Sequence, residues 1–168
     1  MYQTIENTAF MIAFIFYVAS ALLFFVRISK LAKRVEKGAI LTTSLGFLSH
    51  TAAMIARTIG AGRLPFSNQY EFALSFAWGI VLSFLILYAI YRFEAIGAFV
   101  LPLAILVMGY APLQSKTVRP LMPALQSMWL TFHVGTAILS YGSFALGCAI
   151  SVIYLIDSKR SEEHKILS

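Results

Sequence analysis

The chain has 168 residues, enough for one ordinary domain, but 60% of them are hydrophobic and only 12% are charged. Soluble domains carry roughly twice that charged fraction, so the composition excludes an ordinary soluble globule and defines a polytopic membrane protein. The net charge of +6 does not signal nucleic acid, because the basic residues flank apolar runs instead of covering a polar face. The partners it implies are membrane lipids with anionic headgroups.

Five apolar runs reach or approach the ~20 residues that a helix needs to cross the hydrocarbon core. They predict an all-α bundle of about five transmembrane helices over residues 1–156, followed by a charged tail over 157–168. The first span covers about 7–28. The N-terminus ahead of it has no basic region, so a retained span is expected and not a cleaved signal peptide. A basic connector at 29–38 holds Lys30, Lys33, Arg34 and Lys37 and leads to the second span, about 39–60, which ends at Gly60 and Gly62. A short loop at 63–69 precedes the third span, about 70–91, and Arg92 and Glu94 mark a tight turn. The fourth span, about 95–111, is the shortest and contains Pro102. The fifth, about 125–156, is longer than a bilayer requires and is expected to tilt or project. No strand pattern or internal repeat is evident.

Basic residues count nine on one side (Arg27, the first connector, Arg92 and the tail) and four on the other (Arg57, Arg63, Lys116 and Arg119). The heavier side is expected to be cytoplasmic, which puts the N-terminus and the 63–69 and 113–127 loops outside. Cys148 is the only cysteine, so there is no internal disulfide and no Cys-x-x-Cys or Cys-x-x-Cys-His motif. Its mid-helix position reads as packing.

The fifth span carries the strongest chemical signal. At helical spacing Gln126, Trp129, His133, Thr136, Ser140, Ser143 and Gly147 share roughly a 100° arc. Polar and small residues gather where membrane helices meet or a cavity opens, so this stripe is expected to face protein or a ligand. His133 lies ~15 Å along the axis from Pro123, in the outer third of the membrane. An imidazole there is costly unless it is paired, ligated or functional. Two readings stand: a packing stripe with His133 hydrogen-bonded across helices, or an axial haem ligand with Trp129 stacked on the macrocycle.

The second span puts Thr43, Gly46, His50 and Arg57 on one face. Arg57 either snorkels to the nearby interface or faces the bundle, where it suits a carboxylate such as Glu71 or a haem propionate. His50 falls near mid-membrane, far in depth from His133, and reads as a helix–helix hydrogen bond. In the loop, Asn68 followed three residues later by Glu71 has the pattern of a capping box, with Ser67 as an alternative cap. Pro65 and Phe66 stiffen the entry. Tyr70 and Trp78 suit an interface, where aromatics anchor spans. No Gly-rich phosphate loop, His-Glu-x-x-His or serine-nucleophile elbow is present.

Two stretches resemble one family. Pro65-Phe-Ser-Asn-Gln-Tyr-Glu71, with Trp78 beyond it, resembles the outer-loop signature of the CcsA/ResC haem-handling proteins of system II cytochrome c biogenesis. Met122-Pro-Ala-Leu-Gln-Ser-Met-Trp-Leu-Thr-Phe-His-Val134, which contains Pro123, Gln126 and Ser127, is similar to the segment that this family places before its tryptophan-rich loop. Leu139-Ser-Tyr-Gly-Ser-Phe144 extends the similarity.

The resemblance implies that His133 is the first of two external histidines holding haem b as cargo, with Trp129 lining the site. It further implies attachment of haem to apocytochrome c with a ResB/Ccs-type partner, in a bacterial plasma membrane or, alternatively, a thylakoid membrane. The family continues with a Trp-rich motif and a second external histidine, whereas Trp78 and Trp129 are the only tryptophans here. The expectation is therefore that a second CcsA-like polypeptide supplies that motif, and that this chain alone is not a competent haem lyase. A non-catalytic scaffold that binds partner helices through the same stripe is the alternative.

Overall fold

The protein is described by a computed structural model covering residues 1–28, 35–118, 120, 123 and 126–159. Arg119, most of the basic connector (Lys30, Lys33 and Arg34) and the tail from Arg160 lie outside these residues. So do Met122, Ala124 and Leu125 of the pre-helix segment.

Helix α1 spans Tyr2–Ile28, α2 Val35–Ala61, α3 Gln69–Tyr91, α4 Gly97–Tyr110 and α5 Met128–Asp157. Short 3-10 turns at Glu94–Ile96 and Ala111–Leu113 extend α4 at both ends. All five segments are long and apolar enough to cross a membrane, so the chain is an integral membrane protein. Among the described residues there is no strand, as expected for a chain whose backbone polar groups must be satisfied within each span.

The helices run up and down. Contacts at one end join α1 to α2, α3 and the segment after α4, and contacts at the other join α1, α2, α3 and the Glu94 turn. The first is called here the N-terminal end. At the opposite end Arg27 pairs with Glu94 at 2.8 Å, and the Tyr88 hydroxyl donates to Glu36 at 2.6 Å. Arg92 takes the left-handed conformation at φ 53° that closes α3 and turns the chain into α4.

Glycines mark close helix approaches, two of them between α1 and α2 and between α3 and α5. A Cβ on Gly46 would lie 2.8 Å from the Tyr17 ring, so α1 and α2 meet closely there. A Cβ on Gly142 would lie 2.6 Å from the Gly79 carbonyl oxygen, which brings α5 against α3. Along the α1–α2 seam the Ser20 hydroxyl donates to the Ala39 carbonyl at 2.8 Å and lies 2.6 Å from the Thr43 hydroxyl. The Ser49 hydroxyl donates to the Ala9 carbonyl. Such bonds are valuable where no water competes, though each contributes only about 0.6 kcal/mol on average in membrane proteins.

Candidate functional site at the N-terminal end of the bundle

The α2 face read from the sequence is the buried face, with Thr43, Gly46, His50 and Arg57 all inside. His50 is fully buried, and its Nδ1 lies 3.2 Å from the Tyr17 hydroxyl. The imidazole thus joins α1 to α2, as a helix–helix hydrogen bond requires. Of the two outcomes open to Arg57, the structure shows the inward one. The residue is 4% exposed and does not snorkel.

The Arg57 guanidinium donates to Glu71 Oε1 from both Nε (3.0 Å) and Nη2 (2.9 Å), and its Nη1 lies 3.7 Å from Glu6. It also sits 5.2 Å from the centre of the Tyr70 ring. Glu71, fully buried, offers its second oxygen to Arg63 Nη1 at 2.8 Å and to both the backbone N–H and the hydroxyl of Ser67. The Tyr70 hydroxyl donates to Glu6 at 2.6 Å. Lys116, from the segment after α4, donates to Asn7 and lies 5.1 Å from the Tyr70 ring centre. Two carboxylates and three cations from α1, α2, the 62–68 loop, α3 and the post-α4 segment thus close one end of the bundle.

The loop geometry follows from this cluster. Asn68 is the N-cap of α3, its side-chain oxygen accepting from Glu71 N–H at 2.8 Å. The reciprocal half of a capping box is missing, because the Glu71 carboxylate is taken by Arg57, Arg63 and Ser67. Ser67 is therefore a ligand of Glu71 and not the cap. Pro65 is buried, and its carbonyl accepts the Ser75 hydroxyl. Trp78 stacks on Phe47 at 5.3 Å and donates Nε1–H to the Thr51 hydroxyl at 2.9 Å, tying α3 to α2.

Helix α5 is arranged differently. Ser127 caps it, the hydroxyl accepting from Trp129 N–H, and Gln126 N–H closes a turn on the Pro123 carbonyl. Its buried face is Ile138, Gly142, Ala145, Leu146, Ala149 and Ile153. At 100° per residue the polar stripe lies on the opposite side. Trp129 is 82% exposed, and His133, Thr136, Ser140, Ser143 and Gly147 are exposed too. The stripe faces away from this chain's own bundle. The hydroxyls of Thr136 and Ser143 are satisfied by carbonyls one turn back, whereas the His133 ring makes no hydrogen bond among the described residues. Cys148, read from its mid-helix position as a packing residue, is exposed among the described residues.

The structure therefore joins Arg57, Tyr70, Glu71, Ser67 and Asn68 in one cluster and leaves Trp129 and His133 apart from it. Sequence reasoning missed Glu6, Arg63, Tyr17 and Lys116. Glu6 had a usable signal, a carboxylate within the first two turns of an apolar helix, where an ionisable residue marks function or a partner.

A buried ionic clamp closes one end of five spans, and the imidazole of His133 and the indole of Trp129 stand on the outward face of the last, which defines a helical membrane protein. The family described as Cytochrome C assembly protein matches residues 66–168, and the chain belongs to that family. The chain is similar to "Cytochrome c biogenesis protein CcsA" of Pyropia yezoensis, 36% identical over 125 residues, covering 72% of this chain and 39% of the relative. The protein of the same name from Gloeothece citriformis is 31% identical over 163 residues, covering 92% and 48%. That of Phalaenopsis aphrodite is 35% identical over 133 residues, covering 77% and 40%. The chain spans less than half the length of these relatives, and the match lies in the N-terminal part of CcsA.

Proposed function

We propose that the protein is a membrane component of c-type cytochrome biogenesis that presents haem b, as cargo, for attachment to apocytochrome c. The family match over residues 66–168 carries this reading. The residues fit half of a haem site: the His133 imidazole is exposed and makes no hydrogen bond among the described residues, and Trp129 stands one turn before it. His133 would hold the haem iron through its imidazole nitrogen. The second ligand and the Trp-rich surface lie outside these 168 residues, for example on a second CcsA-like polypeptide, and a ResB/Ccs-type protein completes the assembly. The basic-residue count supports an external N-terminal end, which puts His133 on the side where apocytochrome is met. Arg57 holds the loop through Glu71 with Nε and Nη2, so a bond from either of these nitrogens to a haem propionate requires that pair to open.

The test is haem content of the purified complex, read from its absorbance. His133→Ala is expected to remove the haem while the protein stays folded by circular dichroism; unchanged haem excludes His133 as ligand. The outward stripe of α5 favours a second reading, a non-catalytic scaffold whose partner helices lie against Ser140, Ser143 and Gly147. It predicts a colourless complex that falls apart when Ser140 and Ser143 are both changed to Phe.

A further inference from the structure

At the end of the bundle opposite the ionic clamp, two carboxyl groups from different elements meet. Glu36 stands in the first turn of α2, and Glu94 opens the turn between α3 and α4. Their side chains are in hydrogen-bond contact with each other. Two carboxylates are acceptors only and repel, so a hydrogen bond between two carboxyl groups requires that one of them keeps its proton. That proton belongs to the pair and not to either residue.

Neighbouring helices hold the pair in place. The Tyr88 hydroxyl of α3 donates to Glu36 at 2.6 Å, and Arg27 Nε of α1 lies 2.8 Å from Glu94 Oε2. Arg92, the left-handed cap of α3, sits 5.4 Å from the centre of the Tyr88 ring. Arg27, Tyr88 and Arg92 are the groups that bear on the pair. Helix α5 approaches the same turn and carries Asp157, buried in its last turn. The side chains of Arg27 and Glu94 are 27% and 21% exposed. Water therefore reaches the pair and exchanges its proton, while enough of the pair is covered for like charges to repel strongly.

Position decides what the proton controls. Helix α2 packs along α1, and Phe47, Thr51 and Arg57 tie it to α3 in the half nearer the clamp. At the opposite end α2 is held to α3 through the Tyr88–Glu36 bond and to the following turn through Glu94. One end of this seam is thus fastened by a buried ion pair, Arg57 with Glu71. The other is fastened by a contact that exists only while the proton is present.

We propose that Glu36 and Glu94 form a proton-operated latch. With one proton shared, the latch fastens the first turn of α2 to the α3–α4 turn; when the proton leaves, that end of the seam parts while the clamp keeps the other end closed. The charges fix the sign. Raising the pH strips the shared proton and sets two carboxylates side by side, so the latch opens as pH rises. At strongly acid pH both carboxyls are protonated and Arg27 loses its anionic partner, so the latch weakens there too. The device is independent of His133 and of haem.

The experiment uses the full chain in lipid nanodiscs, where both faces meet the buffer, with Cys148→Ser and spin labels at Lys37→Cys and Tyr91→Cys, two exposed positions at the latch end. Distances are read by double electron–electron resonance from about pH 4 to about pH 9, spanning the ordinary carboxyl value and well above it. A single short distance at mildly acid pH is expected to lengthen and broaden at alkaline pH. Labels at Ile59→Cys and Gln69→Cys, exposed positions at the clamp end, are expected to keep their distance throughout. Glu36→Gln and Glu94→Gln each replace the exchangeable proton with a permanent N–H donor and are expected to hold the short distance at every pH. In the infrared spectrum of the unlabelled chain, a protonated-carboxyl band is expected that disappears at alkaline pH and is missing from both variants. A latch-end distance indifferent to pH, a lengthening that persists in both Gln variants, a carboxyl band that neither substitution removes, or equal movement at the clamp end would each overturn the proposal.

Discussion

Arg57 delivers two nitrogens to one oxygen of Glu71, Nε at 3.0 Å and Nη2 at 2.9 Å. The other Glu71 oxygen is thereby left for Arg63 and Ser67. One carboxylate so holds the end of α2, the loop and the start of α3 together.

Removing one partner of a buried ion pair strands the other, which costs about 3–5 kcal/mol. Glu71→Gln and Arg57→Met are each expected to lower the thermal midpoint in detergent strongly. The double variant is expected to lose much less than the two losses added. Strictly additive losses would show that the pair is not coupled.

Gly142 meets the Gly79 carbonyl, and backbone cannot move aside for a side chain. Gly142→Leu is therefore expected to cost at least the 1–3 kcal/mol typical of overpacking and to detach α5 from α3. Helical content by circular dichroism should persist while the unfolding midpoint falls. Gly147→Leu, at a position with nothing within 4 Å, is the control that leaves the isolated chain unaffected.

Tyr17→Phe leaves His50 Nδ1 buried without its partner, a penalty of about 1–3 kcal/mol. Tyr17→Phe combined with His50→Leu removes both polar groups and is expected to be close to neutral. Chemical denaturation of the four proteins measures this. A haem content altered by His50→Leu would contradict its role as a helix tie.

Cys148 is exposed on the outward side of α5. In the isolated, detergent-purified chain it is expected to react with N-ethylmaleimide, and in the assembled complex to be protected. Mass spectrometry reads both, and equal labelling in the two states would place the partner elsewhere.

Much of this fold was legible in the sequence, because hydrocarbon imposes one requirement on every span and few solutions exist. The third span's start at Asn68, the α2 face with His50 and Arg57, and the possible Arg57–Glu71 pairing all came from helical spacing and local chemistry. The α5 stripe was legible as a stripe, but its direction was not. Polar and small residues mark an interface without saying whether the partner belongs to the same bundle, and the packing face is a second small-residue row through Gly142, Ala145 and Ala149. Glu6 escaped because the first span was begun at Asn7, one residue too late to include it. Arg63 and Lys116 escaped because a loop cation declares no partner until the fold brings one to it.

The separation of 64 positions between Glu6 and Tyr70 has a consequence for synthesis. The chain emerges N-terminus first, so Glu6 enters the membrane before any of its partners exists. Arg57, arriving with the second helix, meets Glu6, and Glu71, arriving with the third, meets Arg57 and the loop's Arg63. The order of charges along the chain is thus a schedule. The first helix has reason to wait beside the insertion machinery until the third is made, and the three then leave it as one piece.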